Sequence, residues 1–406
     1  MARELWLFTT RFPQGISEPF LENELPVVAA HADRVRIFPL LEDEGMRPLP
    51  ANVEVTRLFT DPYRAAGPLE MLRHARALRE LLVWARRSAP TEALWTKHRR
   101  EVVSRARQAV QRMSTVRRAL AAQYDPEHVV LYSYWTADWA TVLGLWKATD
   151  PRVRFVSRMH GFDLYADRSP DGWPPFRAFQ LHHVDRVHVA SQAGLDHVTA
   201  AHPREAAKFR LARLGTRDHG LAPWSPAPVL RIVSCSNLVE LKRVHLLAEA
   251  LLDVEGPVEW THFGDGPERE RIEAVVRDLP PNVKATMMGA VPNARLIDWY
   301  LTHPVDLFVH LSSTEGGVPV ALQEAASFGI PLLACDAGGV REIVGDRTGL
   351  LLPADPLLRQ LAQLLGEHRT SHRNTAVFRA GVRRAWSEGF TAERAFGTFA
   401  ADLMRP

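Results

Sequence analysis

Short apolar runs of strand length recur along this chain, each followed by a stretch of helical composition. That alternation restricts the fold more than any single motif. Residues 5–10, 35–39, 128–132, 154–159 and 187–190 read as strands in the first half. Residues 232–236, 258–263, 284–288, 305–310 and 332–336 do so in the second. Most of these runs are apolar throughout, as strands covered on both faces are. The pattern predicts an α/β protein built from parallel βαβ sheets. At 406 residues the chain exceeds one ordinary core, which suggests roughly two to three domains. Residues 218–228 carry three prolines and no periodicity, the composition of a linker. The expected organisation is a first domain over 1–217, a linker over 218–228, a second domain over 229–384 and a terminal helix over 385–406.

Composition narrows the class. No run approaches the roughly 18 apolar residues of a membrane span. The apolar core of the first eleven residues is too short for a signal peptide and fits a first strand instead. The two cysteines, Cys235 and Cys335, have no metal-type spacing and sit in strand-like contexts, as expected of a reduced, cytoplasmic protein. A net charge of +3 gives no argument for nucleic acid. No His/Cys/Asp/Glu cluster has metal-ligand spacing, so no metal is expected.

The stretch 312–331 carries the densest chemistry. An apolar strand precedes a small, Gly-rich loop bearing Glu315, Gly316, Gly317 and Val318. A run of helix formers bearing Glu324 follows. A strand, a Gly-rich turn and a helix in that order place backbone N–H groups and a helix N-terminus at the open end of a sheet. Such a site suits a diphosphate. The two carboxylates can accept hydrogen bonds from hydroxyls on the same ligand, and a nucleotide sugar offers both parts.

These residues resemble the signature of retaining GT-B glycosyltransferases of family 4. In that family two Glu flank seven residues ahead of an Ala and a Gly-Ile/Thr-Pro turn. Here Glu315 and Glu324 flank eight, and counting back from Glu324 lands on Gly316, so a one-residue bulge is needed for Glu315 to serve. The segment 336–344 is similar to the family's next loop. Residues 233–247 look like its donor-phosphate loop, an Arg with a Lys five positions later. Lys242 matches the Lys, while Asn237 stands at the Arg position, leaving Arg243 or an arginine elsewhere to compensate. Met159-His160-Gly161 is similar to the family's His-Gly motif facing the donor sugar, and Asp163 is also suited to cap the next turn. Gly15 resembles the first Gly-rich loop near the donor phosphates, although a plain turn explains it nearly as well. Glu18 beside it suits either a helix cap or acceptor hydroxyls. Gly264 and Asp265, in a Gly-Asp-Gly-Pro turn, look like the family's border to the nucleotide, with the base near 288–291.

The resemblance implies two Rossmann-like domains facing a cleft, with the C-terminal helix crossing back to the first. It implies transfer of a hexose-type sugar from a nucleoside diphosphate sugar to a hydroxyl of a saccharide or lipid-linked saccharide, with retention and without a metal or cofactor. Glu324 would hold the ribose, Glu315 the donor sugar, and Lys242 the leaving diphosphate. A capsule, exopolysaccharide or lipid-linked glycan is the implied setting. An epimerase on the same fold, or a binding module without catalysis, remains open. A dehydrogenase is disfavoured because no Gly-x-Gly-x-x-Gly follows the first strand.

The resemblance does not cover residues 72–120. They hold 13 Lys/Arg against Glu80, Glu92 and Glu101 in a helical pattern. The main readings are core helices with a solvated basic face, or a patch for an anionic membrane surface or a phosphorylated acceptor, with nucleic acid a minor third. The second would place the protein peripherally at the inner face of the cell membrane.

Overall fold

A computed structural model describes residues 3–15 and 17–405. The chain forms two compact units, residues 1–212 with 396–406 and residues 213–395.

Among the described residues, unit 1 is built on seven parallel strands. They are β1 (Glu4–Thr9), β2 (Arg34–Pro39), β3 (Val53–Val55), β4 (Val129–Ser133), β5 (Phe155–Met159), β6 (Arg186–Val189) and β7 (Phe209–Leu211). Their order in the sheet is β3-β2-β1-β4-β5-β6-β7. β1 pairs with β2 on one side, Glu4 opposite Arg34, and with β4 on the other, Glu4 opposite Val129. The winding reverses there. The loops leaving β1 and β4 therefore diverge at the carboxyl end, where sheets of this kind bind ligands.

Side chains alternate across the sheet, and both faces are covered. Trp6 and Phe8 point into one buried cluster with Leu81, Val102, Val110, Met113 and Trp146. Leu5 and Leu7 point into the opposite cluster with Leu21, Leu25, Tyr132 and Phe399. The helices are α1 (Leu21–Ala29), α2 (Pro68–Arg73), α3 (Ala75–Ser88), α4 (Glu92–Leu120), α5 (Asp138–Thr149), α6 (Arg177–His183) and α7 (Gln192–Ala201). The basic region is thus α3 and α4. Val102, Ala106, Val110, Met113, Val116 and Leu120 recur at helical spacing and are buried. Arg112 is buried too, 3.3 Å from Asp138, and its Nε donates to Pro62 O. Arg107 donates to Ala66 O. These helices are part of the core, and only their outer face is basic.

Among the described residues, unit 2 repeats the design with six parallel strands. They are β8 (Leu230–Cys235), β9 (Val258–Phe263), β10 (Val283–Met287), β11 (Leu307–His310), β12 (Leu332–Cys335) and β13 (Gly349–Leu352), in the order β10-β9-β8-β11-β12-β13. The winding reverses between β8 and β11. Its helices are α8 (Val244–Ala250), α9 (Arg269–Arg277), α10 (Asn293–Thr302), α11 (Val320–Ser327), α12 (Leu358–His368) and α13 (Ala376–Gly389).

Residues 218–228 carry no helix or strand. They are fastened to unit 2, where Arg383 grips Asp218 with 2.5 and 2.6 Å contacts and the Trp224 indole donates to Asp306. The last helix, α14 (Ala392–Leu403), starts in unit 2 and ends in unit 1. There Phe399 lies 4.6 Å under the Arg158 guanidinium, which pairs with buried Glu24 at 2.7 Å. Asp402 accepts from His188 at 2.8 Å. Among the described residues no helix is long and apolar enough to cross a membrane.

Candidate active site

The reversal of winding in unit 2 brings the loops after β8 and β11 side by side. The first closes through a 3-10 turn, Glu240–Lys242, and Arg243 in a left-handed conformation, with φ 49°. This turn aims Lys242 at the second loop. The Lys242 Nζ is in direct contact with Glu315 Oε1. His310, the last residue of β11, meets the same oxygen through Nε2 at 2.9 Å. Burial alone would raise the Glu315 pKa, but the Lys242 charge and the His310 hydrogen bond outweigh it. Together they hold the carboxyl well below its usual range. Lys242 and Glu315, predicted for different parts of one ligand, are therefore an ion pair here.

Close backbone approach holds these loops together. Gly338 has φ +52°, and a Cβ there would lie 1.7 Å from Glu315 O. Gly264 would place a Cβ 1.8 Å from Ser236 O, and Gly266 one 2.4 Å from Leu238 O. The Gly-Asp-Gly turn thus lies against the loop bearing Asn237, with Leu238 N–H donating to Asp265 O at 3.0 Å. The Asp265 carboxylate is held by Arg269 at 2.9 Å. Asn237 is exposed. Arg243 does not replace the missing cation. Its guanidinium donates to the carbonyls of Leu311 and Ala354 and pairs with Asp355, which fixes the loops after β11 and β13.

Glu324 lies on α11, which starts after Pro319 without a side-chain cap. It is 7% exposed and accepts from Asn293 Nδ2, on α10, at 2.8 Å. Burial and the Glu324 charge push the Cys235 thiol up to about 12, and burial pushes Cys335 up to about 11. Neither is a thiolate nucleophile at neutral pH. Gly316 and Gly317 occupy the loop between Glu315 and α11. The Val318 side chain is in the unit 2 core instead, and its carbonyl accepts from Gln323.

In unit 1 the corresponding loops follow β1, β4 and β5. Gly15 has φ +61°, and a Cβ there would lie 2.2 Å from Asp43 Oδ2. Its N–H already donates to Glu44 O at 3.0 Å. The turn is what requires this glycine, and its amide is not one offered to a phosphate. Glu18 neither caps α1 through its side chain nor faces outward. It accepts from the N–H groups of Thr10, Arg11 and Phe12 and from the Trp135 indole, all at 2.7–2.8 Å. That carboxylate shapes the loop.

His160 follows β5. Its N–H donates to Asp163 Oδ1 at 2.8 Å, and Asp163 Oδ2 accepts from Thr136 N–H at 3.0 Å. Asp163 thereby ties the β4 and β5 loops together, and burial raises its pKa to about 6. The His160 ring lies 4.4 Å from Trp135 and 4.7 Å from Tyr134. Burial, then Arg158, holds it neutral. Neither ring nitrogen has a hydrogen-bond partner among the described residues, although the side chain is buried. An unmet buried imidazole costs about 1–3 kcal/mol and calls for an explanation. Gly161 follows, and Phe162, 55% exposed, packs 4.8 Å from Trp135.

Sequence reasoning missed His310 and Asn293, which hold Glu315 and Glu324. The available signals were a polar residue ending an apolar strand and an Asn opening a helix.

Residues 226–373 match the family model of glycosyl transferases group 1. The chain is 30% identical over 173 residues to a putative colanic acid biosynthesis glycosyltransferase, WcaL, of Escherichia coli, covering 40% of this chain and 42% of that protein. It is 32% identical over 168 residues to a GDP-mannose-dependent alpha-mannosyltransferase of Mycobacterium tuberculosis, covering 40% and 41%. The match thus spans about two fifths of the length of these relatives. Among solved structures, Anabaena Alr3699/HepE in complex with UDP and glucose superposes with a TM-score of 0.67 at 17% identity, over 98% of this chain and 99% of that one. The lipopolysaccharide outer core galactosyltransferase WaaB, in its apo form, gives 0.63 at 14%, over 99% of each. At these identities the likeness carries the fold. The chain has the two parallel-sheet, Rossmann-like units of GT-B glycosyltransferases.

Proposed function

We propose that this protein is a glycosyltransferase that moves a sugar from a nucleoside diphosphate sugar to a hydroxyl acceptor. The observation that carries the reading is the pairing of Lys242 with Glu315, beside His310, at the reversal of winding in unit 2. A positioned cation there meets the charge that grows on a diphosphate as the glycosidic bond breaks. Glu315 keeps that lysine oriented until a ligand competes for it. Glu324, oriented by Asn293, accepts from ribose hydroxyls. The chain turning into α11 offers backbone N–H groups to the phosphates.

In unit 1, neutral His160 presents an unmet ring nitrogen to a sugar hydroxyl, with Phe162 beside it as an apolar surface. The leaving phosphate takes the acceptor proton on the face it departs from. The configuration at the anomeric carbon is then retained, and neither a protein nucleophile nor a metal takes part. The relatives named for colanic acid biosynthesis and for mannosyl transfer favour a glycan-building role, and the cytoplasm is the proposed location. The basic outer face of α3 and α4 is the proposed contact with an anionic membrane surface.

Incubating the protein with UDP- and GDP-sugars, with and without saccharide acceptors, tests the reading. Acceptor-dependent release of nucleoside diphosphate, with an axial or equatorial product matching the donor by NMR, is expected. Interconversion of the free nucleotide sugar without an acceptor would make the protein an epimerase. Binding without turnover would make it a binding module.

A further inference from the structure

Unit 1 holds a buried guanidinium with no carboxylate in direct contact among the described residues. A cavity of about 220 Å³ lies between α4 and the loop 162–177. On the same measure about 10–15 Å³ holds one water, so the space takes more than a lone ion. Arg177 lines it and is only 8% exposed. Its Nε reaches Gln180 Oε1 at a long 3.4 Å, and among the described residues it has no carboxylate within ion-pair distance. The nearby negative charge acting on it is Asp163, whose two oxygens accept from the N–H groups of His160 and Thr136. Burying a guanidinium without a partner is costly, so an Arg in such a position marks a site where an anion is expected.

Two more arginines line the same cavity. Arg105 lies 5.6 Å over the Phe176 ring and is only loosely paired with Glu101, at 3.8 Å. Arg168 has no side-chain partner among the described residues. His98, on the wall, is held by Asp171 at 2.6 Å. Trp173 and Phe176 supply a buried aromatic wall, and Phe162 an exposed one. Several arginines beside aromatic faces suit a ring that carries an oxyanion. The guanidinium fork meets a carboxylate or phosphate with two donors, while the aromatics cover the C–H face of the sugar. The cavity shares Asp163 with the His160 loop, and that carboxylate accepts from the His160 backbone N–H.

We propose that this cavity binds the anionic group of an acidic acceptor sugar, with Arg177 as the buried anchor and Arg105 and Arg168 closing on the oxyanion. This inference rests on the glycosyltransferase reading for the word acceptor, and its test is independent of turnover.

Binding to the full-length protein is measured by calorimetry at low salt, without nucleotide, for glucuronic acid, glucose 6-phosphate, glucose and inorganic phosphate. At least one acidic sugar should bind at least tenfold more tightly than both glucose and inorganic phosphate. Which of the two does so separates a carboxylate from a phosphate. Arg177→Gln and Arg168→Gln should each weaken that binding about tenfold or more and leave UDP or GDP affinity unchanged. Acidic sugars that bind no better than glucose or inorganic phosphate would overturn the proposal. So would an Arg168→Gln protein with wild-type affinity. If nucleotide-sugar turnover is present and acidic-sugar binding absent, only this inference falls. If binding is present and turnover absent, the site stands and the transferase reading falls.

Discussion

At the scale of residues, the account turns on two carboxylates and what holds each of them. Glu315 is ionised in the fold well below its ordinary value of 4.5, despite burial, because Lys242 and His310 face it. A depressed carboxylate pKa contributes stability that is present above the unfolded value and lost as pH falls through the folded one. Removing the cation should therefore expose the cost of burying the carboxylate. Lys242→Met should lower stability on the order of 3 kcal/mol at pH 7, and Lys242→Met/Glu315→Gln should recover most of it. Urea unfolding reports both, and a single variant as stable as wild type would contradict the pairing. Glu324→Gln should weaken nucleotide binding by roughly 1.5–3 kcal/mol, the loss of a charged hydrogen bond. Asn293→Ala should weaken it less, since Asn293 only orients Glu324. Titration with UDP and GDP decides this, and unchanged affinity in Glu324→Gln would remove that residue from the site. The carboxylates and Lys242 were singled out in the sequence by residue type and local context, although the two Glu stand one residue further apart than in the family and the Lys242–Glu315 pairing was not foreseen. His310 and Asn293 were not, because each acts through another side chain and only folding brings the pair together.

At the scale of elements, every interior strand was legible, and of the four edge strands only β10 was, predicted at 284–288 and observed at Val283–Met287. The predicted runs at 5–10, 258–263 and 332–336 each lie within one residue of an observed strand. The strands missed, β3, β7 and β13, are all at sheet edges. An edge strand has one neighbour and is short, so its composition is less uniformly apolar. Helix α4 shows the complementary limit. Its charge count left a core helix with a solvated basic face and an anion-binding patch both open, and its buried stripe agrees with the first. Arg99 and Arg100 are exposed on that face, whereas Arg107 is occupied by Ala66 O. If the face meets anionic membranes, the protein should co-sediment with phosphatidylserine vesicles at low salt. It should dissociate as salt screens charges beyond about 10 Å at 0.1 M. Arg99→Gln/Arg100→Gln should reduce that binding and spare nucleotide affinity. A wild-type protein that stays in the supernatant would make the face a solvated one.

At the scale of the whole molecule, the two sheets follow the same winding rule, and each places its polar loops where the winding reverses. That much followed from alternation along the chain, because a parallel sheet needs crossover helices and so writes its topology into the order of elements. What the sequence did not show is how firmly the tail belongs to the first unit. Phe396 and Phe399 flank the buried Arg158, and Asp402 takes His188 and Arg186. Deleting residues 396–406 should uncover the Glu24–Arg158 pair and cost unit 1 more than about 3 kcal/mol. A thermal melt with unchanged midpoint would contradict this.

The central claim is that Lys242 stabilises a departing nucleoside diphosphate. Nucleoside diphosphate release from UDP- or GDP-sugars, in the presence of saccharide acceptors, tests it directly when wild type and Lys242→Ala are compared at saturating donor. The account predicts release by the wild type and a rate on the order of a hundredfold lower in the folded variant, with donor affinity changed far less. Release at the wild-type rate by Lys242→Ala, or no release by the wild type with any donor, would contradict it.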